Sequence, residues 1–260
     1  MKERLLHSIL FSPWMMDGRS ARAYHPIIVN MLKGHQVDLN EEPARRPFAY
    51  SASSQRKIKY YNFGEAPEGS VAVHTLIGAV TKYGGWCTSG TEGMMMSMSK
   101  ADEMKNIAAH MLEIDSGGGE ATNIETVARF IRNNIKKPVV AWFNGTCASA
   151  AYYIASACDE IYASEPTDQV GSIGVLLSFM DFKPFYESQG VNVHEIYATQ
   201  SELKNADFKA AREGDYEPIR ERLLDAYADT FITTVAEFRP NLKEEDAYKG
   251  KIYKAPEAIN

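Results

Sequence analysis

Short apolar runs alternate with longer amphipathic stretches along most of this chain. Val71-Ala72-Val73-His74-Thr75-Leu76-Ile77 has the composition of a strand and stops at Gly78. Residues 107–114 and 139–143 are two more such runs. The first ends in Asp115-Ser116-Gly117-Gly118-Gly119 and the second in Asn144-Gly145. Residues 91–105 read as a helix whose Met94, Met95 and Met98 fill core space. A second helix over 120–135 places Ile124, Val127, Ala128, Ile131 and Ile135 on one face, and Lys136-Lys137-Pro138 breaks it. A short helix is expected from near Ser149 through Ala157, with brief strands over 161–163, 172–179 and 191–197. Residues 181–189 and 215–238 read as helices, the latter with Ile219, Leu223, Ala226, Tyr227 and Thr230 near one face. Strands alternating with helices at this spacing imply an α/β fold with a largely parallel sheet.

Residues 1–65 break this rhythm. They hold Ser12-Pro13-Trp14, a helical stretch near 23–32 and a polar, proline-bearing segment over 40–55. They read as an N-terminal arm or small subdomain ending in a linker, ahead of a main domain over 66–260. The 260 residues suffice for one sizeable core. A net charge of -6 offers no basic face to a nucleic acid. No run reaches the ~20 apolar residues of a membrane span, and residues 1–16 are too broken by charge, His and Pro for a signal peptide. Three cysteines, Cys87, Cys147 and Cys158, give neither a disulfide framework nor metal-ligand spacing, which fits a reducing, cytoplasmic compartment.

Two loops carry candidate chemistry, each read as following a strand and opening a helix. Consecutive glycines in Asp115-Ser116-Gly117-Gly118-Gly119 let the backbone approach a ligand with its N–H groups. The same residues also suit a plain tight turn. The loop has no Gly-Lys-Ser/Thr for phosphate and lacks dinucleotide spacing. In Asn144-Gly145-Thr146-Cys147-Ala148-Ser149-Ala150-Ala151, small residues surround one serine at a helix start. There the helix dipole favours an alkoxide and the oxyanion that follows it. Ser149 reads equally as a helix N-cap, and Cys147 as a rival nucleophile or a small buried residue. None of the six histidines sits in a triad motif; His194 is the best-placed rival base. A lysine can act as base where burial lowers its pKa, but composition alone does not single one out.

From about residue 70 to 260 the chain resembles the S49 peptidases, the signal peptide peptidase A family, and their phage relatives that process capsid proteins. Residues 114–119 are similar to the family's Ser-Pro-Gly-Gly loop, with Gly117 in place of proline. Ala148-Ser149-Ala150-Ala151-Tyr152-Tyr153-Ile154-Ala155 resembles its Ala-Ser-Gly-Gly-Tyr-Tyr-Ile-Ala nucleophile motif. Ala157-Cys158-Asp159-Glu160-Ile161-Tyr162-Ala163, Gly171-Ser172-Ile173-Gly174-Val175, and Gly250-Lys251-Ile252-Tyr253 with Glu257-Ala258 match further segments in order. The resemblance implies a ClpP/crotonase-like fold of repeated ββα units and a Ser-Lys dyad. Ser149 would be the nucleophile and Lys204 the general base, with Lys209 the alternative lysine. Ser172 would orient the lysine, and the N–H groups of Gly118 and Ala150 would form the oxyanion hole. It implies a protein or peptide substrate, a homo-oligomer and no metal or cofactor. Ser12-Pro13-Trp14 and the missing anchor point to the phage branch, with capsid or scaffold proteins as partners in the host cytoplasm. The family's Glu-Ala helix is followed by Gly-Leu-Ile/Val-Asp, so an end at Asn260 implies a truncated or self-processed chain.

Two other readings share these residues. A crotonase-like acyl-CoA enzyme uses the same fold and oxyanion hole, but its chemistry wants a central carboxylate. A catalytically inactive shell or scaffold protein would need neither Ser149 nor Lys204.

Overall fold

The apolar runs become the long central strands of one sheet. The computed structural model describes residues 14–16, 26, 29–30, 33, 46–51, 59–84, 88–179, 181 and 183–259. Ser12, Pro13, most of the expected 23–32 helix, Cys87, His7, His25 and His35 lie outside them. In chain order the strands are β1 (Trp14–Met16), β2 (Phe48–Tyr50), β3 (Lys59–Tyr60), β4 (Ser70–Ile77), β5 (Ala79–Thr81) and β6 (Thr88–Gly90). They continue with β7 (Ile107–Ser116), β8 (Gly118–Glu120), β9 (Val139–Ala148), β10 (Glu160–Ala163), β11 (Gln169–Gly171) and β12 (Ile252–Lys254). The larger sheet is eight-stranded, ordered β12-β11-β9-β7-β4-β2-β3, with β10 also paired to β9. Its centre is parallel: β4 with β7, β7 with β9, and β9 with both β10 and β11. The pairings of β12, β2 and β3 are antiparallel. A smaller sheet runs β1-β8-β5-β6. The described pieces of the 1–65 segment thus join both sheets.

The helices are α1 (Thr91–Asp102), α2 (Ile124–Asn134), α3 (Ala150–Ser156), α4 (Lys183–Ser188), α5 (Ala206–Arg212) and α6 (Asp225–Phe238). Helical turns over 217–224 lead straight into α6. The expected face of α2 is the buried one: Ile124, Val127, Ala128 and Ile131 enter the main core, with Ile135 packed at its edge. Met94 and Met98 of α1 are buried there too. In α6 the buried stripe is Phe231, Thr234, Val235 and Phe238, one position off the expected face; Ile219 is buried and Ala226 exposed. Phe231 lies flat on Tyr153, with ring centroids 4.4 Å apart and planes 5° apart, so α6 backs the helix that follows Ser149. Among the described residues no helix is long and apolar enough to cross a membrane.

Several expected boundaries change, for local reasons. Residues 118–120 form β8 rather than the start of a helix, and α2 begins only at Ile124. The 115–119 loop therefore does not open a helix directly. Asn144-Gly145 does not end its strand: β9 runs on to Ala148, because the Gly145 N–H donates to Asp168 Oδ1 (2.8 Å) and the Thr146 N–H to Asp115 Oδ1 (3.1 Å). The strand expected over 172–179 lies before it, as β11, and ends where Ser172 turns to φ 56°. Residues 191–197 form no strand: among the described residues no strand pairs with them, and the stretch is mostly exposed.

Candidate active site

Ser149 stands at the turn between the end of β9 and the start of α3. Its backbone has φ 55° and ψ -120°, a conformation that costs a residue with a Cβ and persists only where the surroundings enforce it. The surroundings are visible. The Ser149 N–H donates to Gly171 O (2.8 Å), its carbonyl accepts from the Tyr153 N–H (2.8 Å), and its Oγ donates to Gly174 O (3.4 Å). Burial of Ser149 is almost complete. Ser149 immediately precedes α3, and a helix start concentrates positive potential. The Ser149 side chain does not cap the helix: no helix N–H bonds it.

The glycine loop meets the serine directly. Gly118 has φ 105°, and a methyl group there would stand 2.9 Å from Ser149 Cβ and overlap the Met15 carbonyl oxygen. Only glycine allows this approach. Ser116, fully buried, shapes the loop: its hydroxyl donates to Gly78 O (2.6 Å) and accepts from the Gly118 N–H (3.1 Å). The Gly118 N–H is thus bonded within the loop here. The structure brings Ser149, Ala150, Gly118 and the Ser172 turn together. Ser172 also has positive φ, and its N–H donates to Lys251 O (2.8 Å).

Lys204 is exposed, and its N–H donates to Ser201 O (3.0 Å). Lys209, on α5, holds its ammonium 3.7 Å above the Tyr197 ring. Among the described residues no hydrogen bond or ion pair joins either lysine to Ser149. Cys147 is fully buried, and burial pushes its thiol far above the range of a usable nucleophile. His194 is exposed in the unpaired 191–197 stretch. Among the described residues no cluster of His, Cys, Asp or Glu is built to hold a metal ion.

Sequence reasoning missed two supports of this site. Asp168 is buried and accepts from the N–H groups of Gly145, Ser164 (2.9 Å) and Glu165 (2.8 Å), pinning the strand that carries Ser149. Its signal was Glu165-Pro166-Thr167-Asp168, a segment whose Asp bonds backbone N–H groups just before it. The second is Ser116, readable only as part of a glycine turn.

Known proteins with similar sequences show the family. The profile of peptidase family S49 matches residues 131–260, half of the chain. A head-tail preconnector protein of Enterobacteria phage P21 is 29% identical over 192 residues, 72% of this chain and 37% of that protein. A putative protease of Methanocaldococcus jannaschii is 32% identical over 64% of this chain and 52% of its own length. A putative signal peptide peptidase of Enterococcus faecium is 30% identical over 65% of this chain and 49% of its own length. The chain thus spans only about a third to a half of the length of these curated relatives.

Proposed function

The chain belongs to peptidase family S49, and on that footing we propose that it is a serine endopeptidase with Ser149 as nucleophile and a lysine as general base. The observation that carries the reading is the strained, buried Ser149 at a strand-to-helix turn, pressed against a glycine loop. In the proposed reaction Ser149 Oγ attacks the peptide carbonyl carbon and its proton passes to the lysine amine. The carbonyl oxygen becomes an oxyanion, held by the Ala150 N–H at the start of α3 and by the Gly118 loop once its N–H leaves Ser116. The C–N bond then breaks, and the departing amine takes the proton from the lysine. Water, deprotonated by the same lysine, releases the acyl group from Ser149.

Lys204 is the first choice of base and Lys209 the second, with Ser172 orienting the amine. Neither lysine touches Ser149 in the single chain, so the dyad closes through movement of the 176–205 segment or through assembly. Exposure of Val191, Val193, Ile196 and Leu203 along that segment favours assembly into a homo-oligomer. The likeness to a phage head-tail preconnector protein supports capsid or scaffold proteins as substrates, cut in the host cytoplasm. An acyl-CoA enzyme on the same fold is disfavoured by a serine where that chemistry wants a carboxylate. An inactive scaffold is disfavoured by the strain kept at Ser149. Cleavage of casein by the wild-type chain, with loss of about 10⁶-fold in rate in Ser149→Ala, is the expected result. Equal cleavage by both proteins would remove Ser149 from the mechanism.

A further inference from the structure

Strand β1 lies on the outer edge of β8, the strand that continues the glycine loop. Pairing is antiparallel, with Trp14 opposite Glu120, Met15 opposite Gly119 and Met16 opposite Gly118. The other edge of β8 is taken by β5, with Val80 opposite Gly119. The free edge is therefore the one β1 covers. That edge borders the nucleophile: a single methyl group placed on Gly118 would touch both the Met15 carbonyl oxygen and Ser149 Cβ. Met15 and Met16 are 2% and 4% exposed, so the strand sits in a fitted place and not on a bare surface.

An extended peptide offered to Ser149 needs backbone partners beside it, and a sheet edge supplies them by strand addition. The edge within reach of Ser149 is this one. We propose that β1 occupies the substrate strand's position, so that residues 14–16 act as a tethered, substrate-like blocker of the groove. The inference rests on the peptidase reading for its meaning, but the pairing of β1 with β8 does not depend on it. It also names a substrate class: extended peptides with long, unbranched apolar side chains where Met15 and Met16 now lie. Tethering gives the internal strand an effective concentration in the millimolar range, so a free peptide of micromolar affinity competes poorly until the strand is released.

The test is peptide capture in a Ser149→Ala background, where nothing is cleaved. The probe is a fluorescein-labelled peptide of sequence Ser-Pro-Trp-Met-Met-Asp-Gly, copied from residues 12–18, with a scrambled peptide as control and fluorescence anisotropy as readout. One protein carries Met15→Ser and Met16→Ser. Another keeps the strand intact but has a site-specific protease site inserted between residues 40 and 41, cut before the assay. The expected result is at least tenfold tighter binding of the probe, and not of the scrambled peptide, to both altered proteins than to the uncut parent. Should the double variant fail to fold, the cut protein decides. Equal binding to parent and cut protein, or binding to neither, overturns the proposal. Capture of the probe together with failure of the cut, Ser149-bearing chain to cleave casein overturns the peptidase reading alone. Casein cleavage with no gain in capture overturns the blocker alone.

Discussion

Acidification from pH 8 to pH 5 should destabilise this fold through one buried pair of histidines. His74 on β4 and His110 on β7 are buried, with His74 Nε2 and His110 Nδ1 3.1 Å apart and the rings stacked. Ser97 Oγ lies 3.1 Å from His74 Nδ1, and the Phe63 ring packs edge-on. Beyond His110, Asp102 Oδ1 stands 3.4 Å from Nε2. Burial, with the neighbouring His110 second, lowers the pKa of His74 from 6.5 to about 3. Burial also lowers His110, against the upward pull of Asp102. Between those two values the unfolded chain binds the His74 proton and the folded chain does not. The stabilisation is therefore whole above pH 6.5 and is lost as pH falls toward 3. At about 1.4 kcal/mol per pH unit, His74 alone removes ~2 kcal/mol by pH 5, a large part of a typical domain's stability. The assay is urea unfolding of wild type and His74→Gln at both pH values, with slopes compared to verify two-state behaviour. The stability lost between pH 8 and 5 should be smaller by ~2 kcal/mol in the variant. Losses equal to within ~0.5 kcal/mol would refute the linkage.

Two further outcomes follow from the site. Asp168→Ala leaves three backbone N–H groups, those of Gly145, Ser164 and Glu165, without their carboxylate. It should cost ~3 kcal/mol in thermal or urea unfolding and lower casein cleavage by displacing Ser149, whereas Asp168→Asn, which keeps one acceptor, should lose less. Lys204→Met should reduce kcat/KM on casein by at least ~10²-fold while Lys209→Met stays within about tenfold; the reverse pattern would move the base to Lys209.

Much of the fold is legible because burial imposes period. β4, β7 and β9 are flanked on both edges by other strands and read as apolar runs, and α2 shows its face at helical spacing. The failures share a cause, which is that neighbours, and not local pattern, decide the structure. β8 contains two glycines and has no hydrophobic signature; it is a strand because β1 and β5 pair with it. Asn144-Gly145 has turn chemistry, yet the carboxylates of Asp115 and Asp168 bind the N–H groups of Thr146 and Gly145 and keep the chain in β9. Residues 191–197 alternate like a strand but pair with no strand among the described residues. At the site, the serine and its glycine loop could be read from composition and resemblance, since small residues permit their close approach. The proposed lysine could not, because neither Lys204 nor Lys209 sits in a local pattern that composition singles out.

The most direct test of the peptidase reading is covalent labelling with a fluorophosphonate probe, followed by peptide mass spectrometry. The expected result is a single adduct on Ser149, absent from Ser149→Ala although that variant folds. No adduct on the wild-type chain, or one on another serine that persists in Ser149→Ala, would contradict it.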